Sequence, residues 1–261
     1  MEQKNDFLKS DEKIQKVNMD ISLIYRPDGL TFGTDAYLLS AFLRPKRSRV
    51  MVDLGSGTGI ISLLCAASKK AERIFALEIQ EDFADIIKRN AELNRLDGVI
   101  TPVLSDVRDF KPGFEVDTVI SNPPYMLAGN GKRNQSDAKY IARHEVSGGI
   151  FDFCKSAALL LKNGGEFLCV FRPDRMADLF CALRENSLEP KILTFVYPDA
   201  DSAPSLILVE SRKCVGAGLI TTPPLIIYKS AGKFSREYTE DMEYIYQNNA
   251  FPEKFLPANK K

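Results

Sequence analysis

The residues of this chain best suited to chemistry form the tetrapeptide Asn122-Pro123-Pro124-Tyr125. It follows an apolar run, residues 116–120, that predicts a buried strand, so it lies at a strand's carboxyl end, where open α/β sheets bind ligands. Each proline fixes its own φ and lacks an N–H, which makes the loop rigid and leaves its carbonyls available. The Asn122 amide, the free carbonyls and the Tyr125 ring together suit an amino group on a planar ring. The amino group can donate to the Asn122 side-chain oxygen and to the Pro123 carbonyl while the ring stacks on Tyr125. The alternative is an ordinary proline turn at a strand end.

A glycine-rich segment lies upstream, directly behind another apolar run at residues 50–54. Gly55, Gly57 and Gly59 predict a tight turn between a strand and a helix, where a ligand can approach the backbone. The third glycine comes one residue too early for the dinucleotide-binding spacing, which argues against a pyrophosphate ligand.

Three acidic residues are placed to bind the remaining parts of a ligand. Glu78 ends the next predicted strand and can accept hydrogen bonds from two ribose hydroxyls, and Asp106 ends the third and can accept from an adenine amino group. Asp53, under the glycine turn, can hold an ammonium directly or through water. A ligand with an amino-acid tail, a ribose, an adenine and no phosphates fits this row, and S-adenosylmethionine is such a molecule. Each residue can also be read as a surface carboxylate.

These residues belong to a regular alternation of predicted strands and helices. Apolar runs predict seven strands, at residues 50–54, 73–78, 99–104, 116–120, 166–171, 192–197 and 206–210. Helices are predicted at residues 60–68, 81–96, 149–161 and 173–186. The alternation predicts an α/β fold with a doubly wound, mostly parallel seven-stranded sheet. Only a short proline loop, residues 198–204, joins the last two strands, so the last strand is antiparallel.

The flanking segments predict smaller additions to this core. Residues 1–18 read as a solvated lead-in, and a turn at residues 26–29 predicts a β-hairpin of residues 21–25 with residues 30–32. A helix over residues 36–42 follows, capped by Thr34 or Asp35. We therefore expect a cap at residues 1–49 within the same domain, a core at residues 50–214, and an extension at residues 215–261 with a helix near residues 235–247.

Composition bounds the remaining possibilities. The 261 residues carry 35 basic and 35 acidic side chains, so any nucleic-acid site must be a local patch rather than a global field. Five dispersed cysteines favour reduced thiols over disulfides or a zinc site. The charged N-terminus lacks the apolar segment of a signal peptide, and no apolar run reaches membrane-spanning length. We expect a cytoplasmic protein.

The motifs together resemble a known family. Residues 52–59, VDLGSGTG, resemble motif I of the Rossmann-like class I S-adenosylmethionine-dependent methyltransferases, and Asn122-Pro123-Pro124-Tyr125 resembles motif IV of their amino-methylating members. Residues 32–39, FGTDAYLL, resemble the segment that covers the cofactor in adenine-N6 enzymes. With the basic segment at residues 131–145 and the tail at residues 224–239, the chain is most similar to the bacterial tRNA1(Val) (adenine(37)-N6)-methyltransferase family.

The resemblance implies a set of site residues. The target base is held by Asn122, Pro123, Pro124 and Tyr125. S-adenosylmethionine is bound, and S-adenosylhomocysteine released, by Phe32, Gly33, Thr34, Asp35, Asp53, Gly55, Gly57, Thr58, Gly59, Glu78, Ile79, Asp106, Val107 and Asn122. The reaction follows without a metal, since proximity and alignment supply the rate.

The implied substrate is the exocyclic N6 amino group of an adenine in tRNA, at position 37 of the anticodon loop of a valine tRNA. A loop base leaves its stack more cheaply than a paired one. The side chains predicted to contact RNA phosphates are Lys132, Arg133, Lys139 and Arg143, although the same segment reads as a solvated charged loop. No obligate protein partner is implied, and we expect a monomer.

Three alternatives remain open at the level of sequence. Protein glutamine N5-methyltransferases use the same tetrapeptide but carry a helical N-terminal domain, whereas only 49 residues precede the first core strand here. Guanine-N2 rRNA methyltransferases tend to carry Phe where Tyr125 stands. A non-catalytic S-adenosylmethionine-binding module would have no need of Asn122.

Overall fold

A computed structural model describes residues 8–18, 20–27, 33–45, 49–124, 149–230 and 237–256. The N-terminal elements are β1 (Lys13–Lys16), β2 (Ser22–Tyr25) and α1 (Thr34–Phe42). The core follows with β3 (Val50–Leu54), α2 (Ile60–Ala67), β4 (Arg73–Glu78), α3 (Glu81–Leu93), β5 (Ile100–Leu104), β6 (Val116–Ser121), α4 (Ile150–Leu160), β7 (Leu161–Phe171), α5 (Met176–Glu185), β8 (Leu188–Tyr197) and β9 (Leu206–Lys213). The C-terminal elements are β10 (Ile220–Thr221), β11 (Leu225–Ile226) and α6 (Glu240–Asn248).

The central sheet confirms the predicted architecture. Its strands run in the order β10-β8-β9-β7-β6-β3-β4-β5, with β11 also pairing with β8. The neighbours from β5 to β7 are parallel, whereas β9, the last of the seven core strands, is antiparallel to both β7 and β8. The antiparallel strand therefore lies inside the sheet rather than at its edge, and the short strands β10 and β11 extend the sheet beyond β8.

Two apolar clusters cover the two faces of the sheet. One joins side chains of α1, α2, α3 and α6, and the other joins those of α4 and α5 to the opposite face. Strands buried on both faces read as nearly continuous apolar runs, which is why β3 and β6 were recognisable from sequence. Helices on both faces make the sheet doubly wound, as predicted.

The order of the strands fixes where a ligand can bind. From β3 the chain passes outward to β4 and β5, and then returns to place β6 on the other side of β3. The reversal opens a crevice between the carboxyl ends of β3 and β6, the point at which open α/β sheets bind ligands.

The N-terminal hairpin differs from the prediction in its first strand. β2 covers the predicted residues, but its partner is Lys13–Lys16, with Ile14 opposite Ile24. These residues were expected to be a solvated lead-in, and that prediction is wrong. Their exposed lysines gave a polar appearance, whereas pairing with β2 depends on the backbone. Residues 28–32, the expected second strand and its turn, lie outside the described residues.

The C-terminal extension is attached to the core by a buried cation. Lys70 Nζ donates to the Ser40 carbonyl at 2.7 Å and to the Asn249 carbonyl at 2.5 Å, which ties the end of α6 to α1. Burial lowers the pKa of Lys70 to about 8. The three-part division at residues 49 and 214 stays a prediction.

Helices in the described part of the chain fall short of the length and apolarity needed to cross a membrane. All five cysteines are unpaired, and Cys65, Cys154 and Cys169 are buried.

Candidate functional site

The carboxyl ends of β3, β4 and β6 bring the predicted site residues together. Leu54 at the end of β3 pairs with Leu77 on β4 and with Ser121 on β6. The Ser121 hydroxyl donates to the Leu54 carbonyl at 2.8 Å, so the loops that leave β3 and β6 begin side by side.

The loop after β3 forms the tight turn that its glycines predict. Gly55, Gly57 and Gly59 have φ values of 71°, 56° and 82°, in the left-handed region where a side chain is strained. Gly59 also packs closely, because a Cβ there would lie 3.2 Å from Ile87 on α3. The Ser56 amide donates to the Leu77 carbonyl at 2.8 Å, which holds the turn against β4. The backbone is thus fixed in a shape that few other sequences allow.

Asp53, the penultimate residue of β3, lies completely buried beneath this turn. Its Oδ2 accepts a hydrogen bond from the Ser62 hydroxyl at 2.7 Å, whereas its Oδ1 has no partner among the described residues. Burial raises the pKa of Asp53 to about 6. A buried carboxylate oxygen without a donor is costly in the free protein, so a ligand that brings a cation or a donor is stabilised here.

Glu78, the last residue of β4, is also buried but is held by the backbone. Its Oε2 accepts from the Gly57 amide at 3.0 Å, and its Oε1 accepts from the amides of Ile79 and Gln80, each at 3.0 Å. Burial raises the pKa of Glu78, and these backbone hydrogen bonds oppose that effect. The contact with Gly57 brings the predicted ribose-binding carboxylate directly against the glycine turn. Ile79 follows Glu78 in the loop after β4.

Asp106, beyond β5, occupies the outer end of the row. The Ser105 amide donates to the Glu78 carbonyl at 3.0 Å, which places this loop next to β4. The Asp106 Oδ1 accepts from the backbone amide and from Nε of Arg108, each at 2.8 Å, and Arg108 also forms an ion pair with Oδ2. This partner lowers the pKa of Asp106. Val107 is buried in the cluster beside α4 and α5, so it can offer only a small apolar surface.

Asn122 is the first residue after β6 and is partly buried, and the next residue, Pro123, is buried. Its Nδ2 donates to Oδ2 of Asp35 at 2.9 Å. The structure thereby joins the start of α1 to the tetrapeptide, two segments that the sequence linked only through a family resemblance.

The start of α1 corrects one detail of the prediction. The N-cap is Gly33, and neither Thr34 nor Asp35 caps the helix. Asp35 directs its carboxylate to Asn122 and to the Ala36 amide instead.

Sequence reasoning missed Asn90, on α3, which connects the hairpin to the glycine turn. Its Oδ1 accepts from the Ile24 amide at 2.7 Å, and its Nδ2 donates to the Thr58 carbonyl at 2.9 Å. Its position in the sequence could have predicted that it is buried, because Asn90 lies four residues after Ile86 and seven after Phe83, on the buried face of α3. A fully buried amide requires hydrogen-bond partners, and those of Asn90 join β2 to the glycine turn.

Several predicted residues lie outside the described residues. They are Phe32, Tyr125 and the basic side chains Lys132, Arg133, Lys139 and Arg143. Their predicted roles stay predictions.

Comparison with known proteins places the chain in a family. Residues 41–129 match the model of the TRM5/TYW2 methyltransferase domain. The tRNA1(Val) (adenine(37)-N6)-methyltransferase of Phocaeicola vulgatus is 30% identical over 83% of this chain and 90% of its own length. The protein of the same name from Aeromonas hydrophila is 29% identical over 80% of this chain and 86% of its own. A crystal structure of a predicted O-methyltransferase from Agrobacterium tumefaciens covers 84% of this chain and 98% of its own, at 22% identity and a TM-score of 0.66.

The sheet order, the glycine turn and the paired strand ends define the fold of a class I S-adenosylmethionine-dependent methyltransferase. The chain belongs to the tRNA1(Val) (adenine(37)-N6)-methyltransferase family.

Proposed function

We propose that this protein transfers the methyl group of S-adenosylmethionine to the exocyclic N6 amino group of an adenine in tRNA, at position 37 of the anticodon loop of a valine tRNA. The observation that carries the proposal is the position of Asn122. Its amide stands at the switch point of the sheet, beside the glycine turn, and is held by Asp35. Membership in the family supplies the choice of tRNA and of nucleotide.

The residues present fit the cofactor. The Oδ1 of buried Asp53, which has no partner among the described residues, suits the ammonium of the amino-acid tail. Glu78, held against Gly57, suits the ribose hydroxyls, and Asp106 suits the adenine amino group. When bound, S-adenosylmethionine supplies an electrophilic methyl group on a sulfonium. Gly33, Thr34, Asp35, Thr58, Gly59, Ile79 and Val107 complete the set of residues that we expect around it.

The residues at the end of β6 act on the target base. The adenine amino nitrogen is a poor nucleophile, because its lone pair is delocalised into the ring. The Asn122 Oδ1 and the Pro123 carbonyl accept its two hydrogens, which favours a pyramidal nitrogen with a directed lone pair. Tyr125 stacks on the ring and fixes its plane. As the nitrogen takes the methyl group and the sulfonium becomes a neutral thioether, its proton becomes acidic and is released to water, so alignment rather than a strong base provides most of the rate.

Further parts of the proposal concern the surroundings of the reaction. The RNA phosphates are contacted by Lys132, Arg133, Lys139 and Arg143. No metal takes part in the reaction. The protein acts as a cytoplasmic monomer without an obligate protein partner.

The test is nucleoside mass spectrometry of tRNA from a strain that lacks this gene. We expect N6-methyladenosine to be lost from the valine tRNA, restored by the wild-type gene, and not restored by an Asn122→Ala variant. Asp109→Ala, which alters an exposed carboxylate in the loop after β5, serves as the matched control and should restore the modification.

A parallel assay with labelled S-adenosylmethionine separates the alternatives. Purified protein is given unmodified tRNA, rRNA and release-factor protein. Label in rRNA or in protein, with none in tRNA, contradicts the proposal. Binding of the cofactor without transfer to any of them favours a binding module.

A further inference from the structure

The contact between Asp35 and Asn122 determines which way the Asn122 amide faces. The Asn122 Nδ2 donates to Oδ2 of Asp35 at 2.9 Å. An amide oxygen in the same place would face a carboxylate oxygen, and two acceptors repel each other. The amide therefore directs its NH2 toward Asp35 and its Oδ1 away from it.

Asp35 is itself fixed in place. Its Oδ1 accepts from the Ala36 amide at 2.9 Å, while its Oδ2 accepts from Asn122. It also lies in the first turn of α1, where the helix dipole stabilises a negative charge. The carboxylate is thus a rigid acceptor rather than a mobile surface charge.

We propose that Asp35 is a positioning residue for methyl transfer, which acts by setting the orientation of the Asn122 amide. This inference rests on the proposed function. The two ends of an amide have nearly the same shape, but only the oxygen can accept a hydrogen from the adenine amino group. A flipped Asn122 would present NH2 to NH2, and the base would not be held. Asp35 excludes that flipped orientation before the substrate arrives.

Gly33 provides the space that this arrangement requires. A Cβ at Gly33 would lie 2.6 Å from Oδ1 of Asp35, closer than such atoms approach. Gly33 has φ −106°, which any residue adopts, so the requirement is for room rather than for backbone freedom. Since the clash falls on the end of a side chain rather than on the backbone, a Gly33→Ala change should displace the Asp35 carboxylate and leave the backbone of α1 in place.

A role in cofactor binding alone makes a different prediction. Asp35 belongs to the set expected around S-adenosylmethionine, and a direct contact there would appear in cofactor affinity. A residue that orients Asn122 should instead affect turnover, because Asn122 meets the base.

The first experiment separates these two roles. For Asp35→Ala and Gly33→Ala we expect turnover on tRNA to fall roughly 10- to 100-fold, the range for loss of a charge-assisted hydrogen bond. Any rise in the dissociation constant for S-adenosylmethionine, measured by calorimetry, should be much smaller than the fall in turnover, because the contact with Asn122 acts on the base. Asp109→Ala should change neither quantity. A loss of cofactor affinity that accounts for the lost turnover would overturn the proposal.

The second experiment exchanges the two partners. Asn122→Asp alone places two carboxylates against each other and should reduce turnover at least about 100-fold. In the Asp35→Asn, Asn122→Asp double variant, the new amide donates to the new carboxylate, which keeps an oxygen to accept from the base. We expect the double variant to recover at least about tenfold over Asn122→Asp. If the two substitutions instead acted independently, so that the double variant lost turnover by the product of the two single losses, the proposal would be contradicted.

The third experiment does not depend on activity. The side-chain amide of Asn122 is observed by NMR in protein labelled with 15N-asparagine, and its signals are identified by their absence in Asn122→Asp. In Asp35→Ala these signals should shift and exchange with water at least about tenfold faster, with no change in Asp109→Ala. Unchanged signals would refute the contact. If the wild type fails to methylate tRNA, the proposed function fails, while this measurement still decides whether Asp35 orients Asn122.

Discussion

The carboxylates expected to bind the cofactor form a row, with Asp53 and Glu78 at its inner end and Asp106 at its outer end. The two ends differ in the partners that their carboxylates have. At the inner end, Asp53 and Glu78 are buried at the ends of neighbouring strands, and Asp53 keeps one oxygen without a described partner. At the outer end, Asp106 already has a cation, Arg108, whose side chain is 47% exposed.

The pKa shifts follow this division. Burial raises the pKa of both inner carboxyl groups, to about 6 for Asp53, whereas the ion pair with Arg108 lowers the pKa of Asp106. In the free protein the inner end is therefore held at a cost, which a cationic or donating ligand relieves. The outer end is already stable, and a ligand must compete with Arg108 for it. We therefore expect the inner end to supply affinity for the cofactor, and the outer end to contribute little beyond recognition of the adenine.

The largest effect is expected from Asp53→Asn. Without its charge, the site should bind S-adenosylmethionine roughly 100-fold more weakly, because removing one partner of a buried charge pair costs about 3 kcal/mol or more. The same change should raise the free energy of unfolding of the ligand-free protein at pH 7.5, by up to about 3 kcal/mol, since a raised carboxyl pKa reflects a buried charge held at a cost. Calorimetry and chemical denaturation measure the two effects.

The opposite signs of these two effects make the test specific. A general disruption of the fold would lower affinity and stability together. Ser62→Ala is the matched control, because it removes the hydrogen-bond partner of Asp53 but leaves its charge. If Asp53→Asn lowered the stability at pH 7.5, the inner end would not be the strained one.

The next effect is a pH dependence of cofactor binding. The pKa of Asp53, about 6, lies above the usual value of 3.8, so the folded protein retains a proton that the unfolded chain releases. The stability from this group is present below about pH 4 and is lost as the pH rises through about 6. The ammonium requires the ionised carboxylate, so affinity should change in the opposite sense and fall about tenfold between pH 7.5 and pH 5.

Calorimetry across this range, with the wild type and Asp53→Asn side by side, tests the assignment. The variant should bind weakly but with little dependence on pH. An equal decrease in both proteins would mean that another group titrates, and Glu78, whose charge interacts with that of Asp53, is a candidate.

The difference between the two ends also explains what could be predicted from sequence. Local patterns predict the strands and the glycine turn, because apolar runs and closely spaced glycines can be read from short stretches of sequence. The positions of Asp53 and Glu78 at strand ends follow from the same patterns. The pairing of Asp106 with Arg108 involves residues only two apart, but acidic and basic neighbours are common, and nothing local predicts that these two form an ion pair.

Contacts between distant segments were beyond such reasoning. Asp35 lies 87 residues from Asn122, and its carboxylate was expected to cap a helix. A carboxylate at a helix start has that role by default, and only the folded chain brings an amide within reach. Asn90 is similar, since its partners belong to β2 and to the glycine turn. The first strand of the hairpin was missed because backbone pairing carries no requirement for apolar side chains.

The smallest expected effect tests the outer end. Removing the guanidinium in Arg108→Ala should strengthen the binding of S-adenosylhomocysteine by about two- to threefold, because an exposed ion pair contributes little and its loss makes Asp106 available to the adenine amino group. The matching ligand is S-inosylhomocysteine, which carries an oxygen in place of that amino group. Its affinity should not improve in Arg108→Ala, since the oxygen that replaces the amino group is an acceptor and cannot donate to Asp106. If Arg108→Ala instead weakens both ligands, Arg108 itself holds the base, and the outer end recognises the adenine through a cation rather than a carboxylate.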